Sequence, residues 1–484
     1  MRRFILGLDE GTTSARGVLY NIDKNEIVDI ENLPIKQYYP KNGWVEQDAK
    51  EIYKKIVKVS KTLFKRNNLE KNELLGVGIT NQRETIVAWN RETGEPICKA
   101  IVWQCRRTTD AISKLSEKNR KIIKEKTGLI ANPYFSASKM KWILDNIKEA
   151  KILAKQNNLC FGTVDTFLNF KLTKNFVTDT TNASRTMLMN IHTLDWDDEL
   201  LKMFKIPRNT LPKICSSDAN FGTAKELFNA PICAMIGDQM ASMIGQGAIE
   251  NGNSKVTFGT GAFILTNIGS SAKKNLPNLL TTVACTLENK TQYAIEGSVY
   301  SACSAINWLE KNLKCFEDVS TTSNMAKSLK DNCGVYFVPA FTGLGAPYWN
   351  NEARAAIVGM NFDTDQRHIV RACLESMAYN TKAIVDEMKA HGQKMKVVSV
   401  DGGASKNEFV LQFLADMLNQ KVVKSKNSES TVLGAIYVAM LSLKIINLSD
   451  IKTLSESNKI FTPKLNELER KKYYNGWVNA IRKI

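Results

Sequence analysis

Two strand–turn–strand units, each with a turn of glycine and threonine, lie in opposite halves of the 484-residue chain. In the first, the apolar strand Phe4–Asp9 is followed by a Gly-Thr turn and then by the strand Ala15–Tyr20. In the second, Ser254–Phe258 leads through Gly259-Thr260-Gly261 to Ala262–Asn267. Such turns leave backbone N–H groups open to anions, although ordinary hairpins use the same residues. The repetition indicates two related α/β domains, each opening with a phosphate-facing turn.

The rest of the chain alternates buried strands with helices. Leu74–Thr80, Ile232–Ile236 and Val397–Val400 are short apolar runs that each end in a polar loop. Helical periodicity covers residues 139–147 and 368–389. This alternation predicts an α/β fold with substantially parallel sheets.

The length of the chain is sufficient for two or three hydrophobic cores. We place one boundary near Gly247, so that an N-terminal domain spans residues 1–247 and a C-terminal domain spans residues 248–484. No apolar run is long enough for a membrane helix, and the N-terminal run stops at Asp9, too early for a signal peptide. The ten cysteines form no Cys-x-x-Cys pair and are expected to be reduced. We therefore expect a cytoplasmic protein without membrane insertion.

The net charge of +17 raises the alternative of nucleic-acid binding. The basic residues are scattered along the chain, and aromatic residues are not interleaved with them as in a base-stacking platform. A lysine-rich solvated surface accounts for the same charge. We therefore expect no nucleic-acid partner, and keep this class only as an alternative.

Several nucleotide-binding and catalytic motifs are absent from the sequence. The pattern G-x-x-x-x-G-K-[ST] does not occur, and the segment beginning Gly259-Thr260-Gly261 fails the last position of G-x-G-x-x-G. Neither an HExxH zinc motif nor the G-x-S-x-G elbow of serine hydrolases occurs. A P-loop enzyme, a Rossmann dehydrogenase and a hydrolase therefore lose support.

Polar residues follow three of the predicted strands. Asp9 lies beside the first Gly-Thr turn, where a carboxylate can hold Mg²⁺ near nucleotide phosphates. Asp238 follows Ile232–Ile236, at the end of an α/β sheet where ligands bind, and can accept the proton of an attacking hydroxyl. Asp401-Gly402-Gly403-Ala404 precedes a helix at Asn407, a site that favours anions. On local sequence alone, Asp9 can equally satisfy its own turn, and a helix cap is the favoured interpretation of Asp238.

Arg83-Glu84 and three aromatic residues are candidates for binding a small polar ligand. The adjacent opposite charges can donate to and accept from vicinal hydroxyls, although surface Arg-Glu pairs are common. Trp103, Tyr134 and Phe263 can supply apolar walls, with the Tyr134 hydroxyl as a polar tip, although most such aromatics belong to the core.

In their order along the chain, these residues lie in segments that together resemble the FGGY carbohydrate kinases, in the branch that acts on glycerol. Any one segment is weakly specific, but the ordered set is very specific and covers nearly the whole chain. The segments are Gly7–Ser14, Gly78–Thr85, Ala100–Arg107, Tyr134–Asp145, Thr181–Thr186, Gly237–Gln239, Phe258–Gly261, Phe341–Trp349 and Asp401–Gly403.

The resemblance implies two actin-like (ribonuclease H-like) ATPase domains with the active site in the cleft between them. It implies ATP as phosphoryl donor, glycerol as acceptor, Asp238 as general base and Asp9 as the residue that works with Mg²⁺. The implied glycerol pocket consists of Arg83, Glu84, Trp103, Tyr134, Asp238, Gln239 and Phe263. The implied nucleotide contacts are Thr12, Thr13, Ser14, Arg16, Gly259, Thr260, Gly261, Cys303, Asn307, Gly402, Gly403, Ala404 and Asn407. Family members form dimers or tetramers, so we expect a homo-oligomer.

The chain departs from the family pattern at a few positions. Glu10 stands where members usually carry Gln, and an ionised carboxylate about 5 Å from a phosphate charge would cost roughly 3 kcal/mol at an effective dielectric of about 20, unless a cation is bound. Cys303 replaces Gly and Asn307 replaces a longer polar residue on the adenosine side, and Asn350 replaces a common Asp. A Gly-rich loop is shortened within residues 221–231, so we expect no sugar-bisphosphate inhibition through it.

The first hypothesis from the sequence is transfer of a phosphoryl group from Mg-ATP to glycerol, giving sn-glycerol 3-phosphate. The runner-up is a kinase of the same fold that acts on a tetritol, a pentulose or another polyol. A nucleotide-binding regulator that has lost catalysis is a further hypothesis, suggested by Glu10 and by the changed residues on the adenosine side.

Overall fold

The computed structural model describes residues 3–273, 276–350, 352–457 and 459–484. The strands are β1 Phe4–Glu10, β2 Ser14–Asn21, β3 Glu26–Pro34, β4 Gln37–Tyr38, β5 Glu46–Gln47, β6 Leu74–Asn81, β7 Ile86–Asn90, β8 Ala100–Ile101, β9 Leu159–Thr163, β10 Val177–Asp179, β11 Met189–Asn190, β12 Asp195–Trp196, β13 Lys213–Cys215, β14 Gly222–Ala224, β15 Ala230–Gly237, β16 Asn253–Phe258, β17 Ala262–Gly269, β18 Leu280–Leu287, β19 Lys290–Val299, β20 Tyr336–Val338, β21 Ala356–Val358, β22 Val397–Gly402, β23 Val422–Lys424 and β24 Ile460–Phe461. The helices are α1 Ala49–Arg66, α2 Thr109–Ser113, α3 Glu117–Thr127, α4 Ser136–Asn146, α5 Lys148–Lys155, α6 Val164–Thr173, α7 Thr180–Ala183, α8 Asp198–Phe204, α9 Asp238–Gly245, α10 Cys303–Lys311, α11 Thr322–Lys327, α12 Gln366–Ala390, α13 Glu408–Leu418, α14 Ser430–Ser442, α15 Asp450–Ser455 and α16 Glu467–Ile481.

A six-stranded mixed sheet, ordered β14-β15-β6-β1-β2-β3, forms the core of the first half. Its three central strands β15, β6 and β1 run parallel, with Asp9 opposite Thr80 and Gly237 opposite Asn81. Because the carboxyl ends of parallel strands meet at one edge, the residues that follow these strands are brought together there. This edge carries Asp9 and the loops that hold Arg83 and Asp238.

A seven-stranded sheet, ordered β18-β19-β17-β16-β22-β23-β24, forms the core of the second half. The hairpin β16–β17 carries the turn Gly259–Gly261, and β22 pairs in parallel with β16 so that Phe258 lies opposite Gly402. The register places the second Gly-Thr turn beside the Gly402-Gly403 pair. β19 pairs with β17, and Glu296 lies opposite Leu265.

Helices α9 and α14 cross between the two sheets. α14 belongs to the second half but packs on β1, β6 and β15 of the first. At the crossing, a Cβ added to Gly434 would lie 1.8 Å from the carbonyl oxygen of Ala241, and one added to Gly245 would lie 1.9 Å from that of Ser430. These distances are far inside van der Waals contact, so only glycine permits the observed approach of the two backbones.

Most of the predicted elements are confirmed, including both strand–turn–strand units and the buried strands that precede the candidate site residues. The sequence Asp48-x-x-Glu51 also predicts a capped helix, and the Asp48 side chain accepts hydrogen bonds from the N–H groups of Lys50 and Glu51 at the start of α1. The expectation of substantially parallel sheets is wrong in part. Each large sheet combines three parallel strands with antiparallel ones, because tight turns join consecutive strands without a crossover helix.

The cysteines and the helices agree with two further predictions. All ten cysteines lie in the described residues, and all are free thiols. Across the described ranges, every helix is too short or too polar to span a bilayer.

Candidate active site

Five charged side chains form a ring at the edge where β6 and β15 end: Arg83, Glu84, Arg185, Asp238 and Glu296. Arg83 donates from Nη1 and Nη2 to the two carboxylate oxygens of Glu296, at 2.9 and 3.2 Å, and its Nε lies 3.1 Å from Asp238 Oδ1. Arg185 donates from Nε to Glu84 at 2.5 Å and from Nη2 to Glu296 at 3.2 Å. From Asp238 through Arg83, Glu296 and Arg185 to Glu84 the charges alternate in sign, which is the arrangement that makes burial of so many charges tolerable.

All members of the ring except Asp238 are buried, and the electrostatics of the ring follow from that burial. Burial opposes ionisation of Glu296, but Arg185 and Arg83 outweigh it and lower the pKa of Glu296 to about 2. Burial raises the pKa of Glu84, with the same two arginines opposing the rise. Glu84 also has a positive φ of 62°, a costly conformation for a residue with a side chain. The fold therefore holds Glu84 in one fixed place beside the two guanidinium groups.

Aromatic residues form a wall beside the ring. The rings of Trp103 and Tyr134 meet edge to face with centroids 5.5 Å apart, and the Arg185 guanidinium lies 5.8 Å from the Tyr134 centroid. The indole N–H of Trp103 donates to the Thr12 hydroxyl at 2.9 Å, which ties the wall to the first Gly-Thr turn. Leu265 is the strand partner of Glu296, and Phe263 lies two residues before it on β17. Because side chains two residues apart point to the same face of a sheet, Phe263 lies on the same face as Glu296.

Asp238 is the accessible member of the ring. It begins α9 directly after β15, and its Oδ1 accepts the N–H of Gln239 at 2.6 Å. Its side chain is 29% exposed, whereas that of Arg83 is 2% exposed. A carboxylate that is held in place by an arginine yet open to the cleft can accept a proton from a bound hydroxyl.

Lys255, buried within β16, fixes the neighbouring Gln239. Its Nζ donates to Gln239 Oε1 and, at 2.9 Å, to the Thr257 hydroxyl. Burial lowers the pKa of Lys255 to about 8, against the opposing effect of Asp401 and Asp238. The ammonium group therefore lies between the ring and the second Gly-Thr turn.

Asp9, near the end of β1, has less positive charge around it than an ionised carboxylate there would need. Arg16 lies opposite Asp9 in the β1–β2 ladder, but its guanidinium pairs with Glu429 of the second half at 2.5 Å. Burial and the nearby Asp238 raise the pKa of Asp9 to about 7, and Arg16 only partly opposes this rise. A carboxyl group in this state, beside the turn amides, fits a divalent cation. No cluster of three metal-ligating side chains occurs among the described residues, so Mg²⁺ held here would take its other oxygens from phosphates and water.

Glu10 follows Asp9 but is fully buried. Its two carboxyl oxygens lie 3.2 and 3.1 Å from the side-chain nitrogen of Gln82, which donates to them. Burial raises the pKa of Glu10 well above its usual range despite this hydrogen bond, and Asp9 and Asp238 add to the rise. The repulsion expected from the sequence assumed an ionised carboxylate, whereas this burial favours the neutral acid, which is close in shape and charge to the glutamine it replaces. We refer to Asp9 and Glu10 together as the acidic edge.

The two Gly-Thr turns are built differently. In the first, the N–H of Gly11 donates to the carbonyl of Ser14 at 2.9 Å, and Thr13 is exposed at the tip. In the second, the carbonyl of Thr260 accepts from the N–H groups of Ala302 and Ser304, so the turn closes on the start of α10. Each turn follows a central strand of its sheet, as predicted.

The Gly402-Gly403-Ala404 segment lies next to the second turn. Gly402 has φ of +84°, and a Cβ there would lie 2.2 Å from the carbonyl oxygen of Phe258, so the position requires glycine. Asn407 caps α13 through its side chain. This places the predicted nucleotide residues of the second half along one stretch of surface between α10 and α13.

Two of the departures from the family pattern border this stretch. Cys303 and Asn307 are one turn apart on α10, and Cys303 Sγ lies 3.6 Å from where a Cβ on Gly403 would be. Asn350 has a local role, because its side chain accepts two N–H groups from the residues just after it and closes a turn. The sequence within 221–231 forms the edge hairpin β14–β15.

Sequence reasoning assigned no role to Arg185, Glu296, Lys255 or Glu429. Lys255 is the one charged residue of β16, and Glu296 interrupts the buried run Tyr293–Gly297 of β19, a pattern that usually requires a buried partner. That signal could have identified them as candidates. Their partners could not have been identified, because they lie far away in sequence.

The chain matches two family models, the N-terminal domain of the FGGY family of carbohydrate kinases over residues 4–245 and the C-terminal domain of that family over residues 254–443. It is 45% identical over 487 aligned residues to a glycerol kinase from Thermococcus onnurineus, covering 100% of this chain and 98% of that relative. The crystal structure of Plasmodium falciparum glycerol kinase with ADP superposes with a TM-score of 0.94 at 38% identity, covering 100% of this chain and 98% of that one. A ligand-bound xylulose kinase from Lactobacillus acidophilus gives 0.88 at 25% identity, covering 99% and 98%.

Proposed function

The chain belongs to the FGGY family of carbohydrate kinases, and we propose that it transfers the terminal phosphoryl group of ATP to glycerol. One observation carries the choice of acceptor: Arg83, Glu84 and Asp238 lie in one ring beside the Trp103–Tyr134 wall. The pocket offers donors, acceptors and an apolar wall within the reach of one small polyol. Its relatives at 42–45% identity over the full chain are glycerol kinases, which supports the same choice.

In the proposed reaction, Asp238 accepts the proton of a terminal hydroxyl of glycerol while that oxygen attacks the phosphorus of ATP. Arg83 and Glu84 hydrogen-bond the other hydroxyls, and the carbon edge of glycerol lies against Trp103 and Tyr134. The products are glycerol 3-phosphate, ADP and a proton. Positioning of this kind provides much of the catalysis in phosphoryl transfer.

The nucleotide lies, in this proposal, across the two Gly-Thr turns, with its adenosine along Cys303, Asn307 and the Gly402-Gly403 pair. Asp9 is the residue proposed to hold Mg²⁺, which when bound neutralises phosphate charge. Arg16 and Glu429, paired across the two halves, close one side of the phosphate region.

A coupled spectrophotometric assay of ADP release tests the proposal. Purified protein with Mg-ATP should turn over on addition of glycerol, and chromatography should identify glycerol 3-phosphate. Glycerol-dependent turnover no greater than that of Asp238→Ala would rule out the proposed function. ATP binding by calorimetry without turnover would favour a nucleotide-binding regulator instead.

A kinase of the same fold with another acceptor is the second candidate, because FGGY relatives of this shape include a xylulose kinase. A panel of glycerol, erythritol and xylulose at equal concentrations separates the two. A pocket that hydrogen-bonds three hydroxyls should give the highest kcat/KM with glycerol, and a higher value with a larger sugar would reassign the acceptor.

We place this activity in the cytoplasm, where thiols stay reduced, which suits ten free cysteines. Self-association into dimers or tetramers stays a prediction. Sedimentation of the purified protein at several concentrations tests it.

A further inference from the structure

Glu296 is the member of the charged ring that comes from the second half of the chain. It lies on β19, is fully buried, and is 213 positions from Arg83 along the chain. Buried carboxylates are rare unless paired, and Glu296 is paired twice, with Arg83 and with Arg185. It therefore connects the second half directly to the arginines of the proposed glycerol pocket.

The Arg83–Glu296 pair also fixes the orientation of the Arg83 guanidinium group. Two parallel hydrogen bonds, from Nη1 at 2.9 Å and from Nη2 at 3.2 Å, define the plane of the guanidinium. With both terminal nitrogens on Glu296, the Nε edge of Arg83 points at Asp238, 3.1 Å away. Without Glu296, the guanidinium would be free to rotate its terminal nitrogens onto Asp238 or Glu84, the residues proposed to bind substrate.

Glu296 also connects the ring to the nucleotide side through its own strand. Three residues further along β19, Val299 pairs with Ala262, the residue directly after Gly259-Thr260-Gly261. Because this link runs through main-chain pairing, it holds the β19 backbone in place, and a change confined to the Glu296 side chain is expected to act on the ring side.

We propose that Glu296 is a positioning residue for the polyol site: it orients Arg83 and, with Arg185, holds the pocket in its binding geometry. The inference rests on the proposed function for the identity of the polyol. Glu296 itself makes no contact with the acceptor in this proposal and acts through Arg83.

The test compares Glu296→Gln with Glu375→Gln in the full-length protein. Glu375 is an equally buried carboxylate of the second half, paired with Arg371 at 2.7 Å and bound to Asn332 and Tyr379, all outside the ring. Glu296→Gln should raise KM for glycerol about 10- to 100-fold with KM for ATP changed less than about twofold, since one buried ion-pair partner is lost on the substrate side only. Glu375→Gln should change the melting temperature and leave both KM values near wild type.

An unchanged KM for glycerol in Glu296→Gln, or equal losses for glycerol and ATP, would overturn the proposal. If Glu296→Gln does not fold, Glu296→Asp keeps the charge but withdraws it by one methylene, and should still raise KM for glycerol several-fold without affecting KM for ATP. The wild-type protein is assayed in parallel. Absence of wild-type turnover on glycerol counts against the proposed function, and the same KM comparison is then made with the polyol that the panel identifies.

Discussion

The charged ring and the acidic edge lie at ends of neighbouring parallel strands, yet their charges are arranged in opposite ways. In the ring, each carboxylate has an arginine within 3.2 Å, and Glu296 stays ionised down to a pKa of about 2. At the acidic edge, no arginine or lysine in the described part of the chain forms an ion pair with Asp9 or Glu10, and burial raises the pKa of both. The carboxylates of the ring are balanced by arginines of the folded protein, whereas a bound cation would be needed to balance an ionised carboxylate at the acidic edge.

The difference indicates that the two substrates are handled in different ways. A neutral polyol needs fixed donors and acceptors, which the ring supplies without rearrangement. A polyanion that arrives with its own cation needs a place where a carboxyl group is ready to ionise. The contrast makes specific predictions about protons, metal and substrate affinity.

The largest effect is expected from Asp238→Asn. Replacing the accessible carboxylate of the ring removes the proton acceptor, so kcat should fall at least about 100-fold. Coupled ADP-release kinetics measure it. Asp386→Asn, which alters an exposed carboxylate on α12 paired with Lys382, serves as control and should keep full activity. Near-normal kcat in Asp238→Asn would remove Asp238 from the chemistry.

Tyr134→Phe tests the wall of the ring. Loss of the hydroxyl should lower kcat/KM for glycerol roughly tenfold, because a polar group of the bound polyol would be left without a partner. The matched control is Tyr293→Phe, which removes a buried hydroxyl that donates to the Ile191 carbonyl away from the ring. Equal kinetic losses in the two variants would mean that Tyr134 acts through stability alone.

Protonation of Asp9 should make nucleotide binding pH-dependent. With a pKa raised to about 7, Asp9 is mostly protonated at pH 6, and binding of Mg-nucleotide should release that proton. Affinity should therefore rise as pH increases towards 7 and level off above it. Calorimetry in two buffers of different ionisation enthalpy measures how many protons are released when Mg-nucleotide binds. The difference in that number between the wild-type protein and Asp9→Asn gives the contribution of Asp9. The same proton count in both proteins would contradict the assignment.

The smallest effect is expected from Glu10→Gln. If Glu10 is already a neutral acid, the substitution changes little, and kcat and KM for ATP should stay within about threefold of wild type. Steady-state kinetics at pH 7 suffice. An increase of tenfold or more in affinity for ATP would mean instead that an ionised Glu10 repels the nucleotide, and the acidic edge would need a different description.

The sequence was sufficient to predict which strand ends come together at the candidate site. Asp9, Arg83 and Asp238 each follow a short apolar run, and parallel strands bring such ends together, so their meeting was predictable. Glu296 and Arg185 were not, because an ion pair between residues 213 or 111 positions apart depends on how the two halves pack. The state of Glu10 was also out of reach, since its charge depends on burial and not on residue type. Local pattern identifies strand ends, and tertiary packing decides what surrounds them.

The contact between α9 and α14 has a mechanical consequence. The backbones of the two helices touch at Gly245 and Gly434, so the helices cannot come any closer. The carbonyl groups of one helix lie in the gap left by the missing side chain of the other, so this contact fixes the spacing of the two helices. A single methyl group at either glycine would force α9 and α14 apart. Because α14 comes from the second half and packs on β1, β6 and β15 of the first, a change in that spacing would shift the strands that carry the acidic edge and the ring.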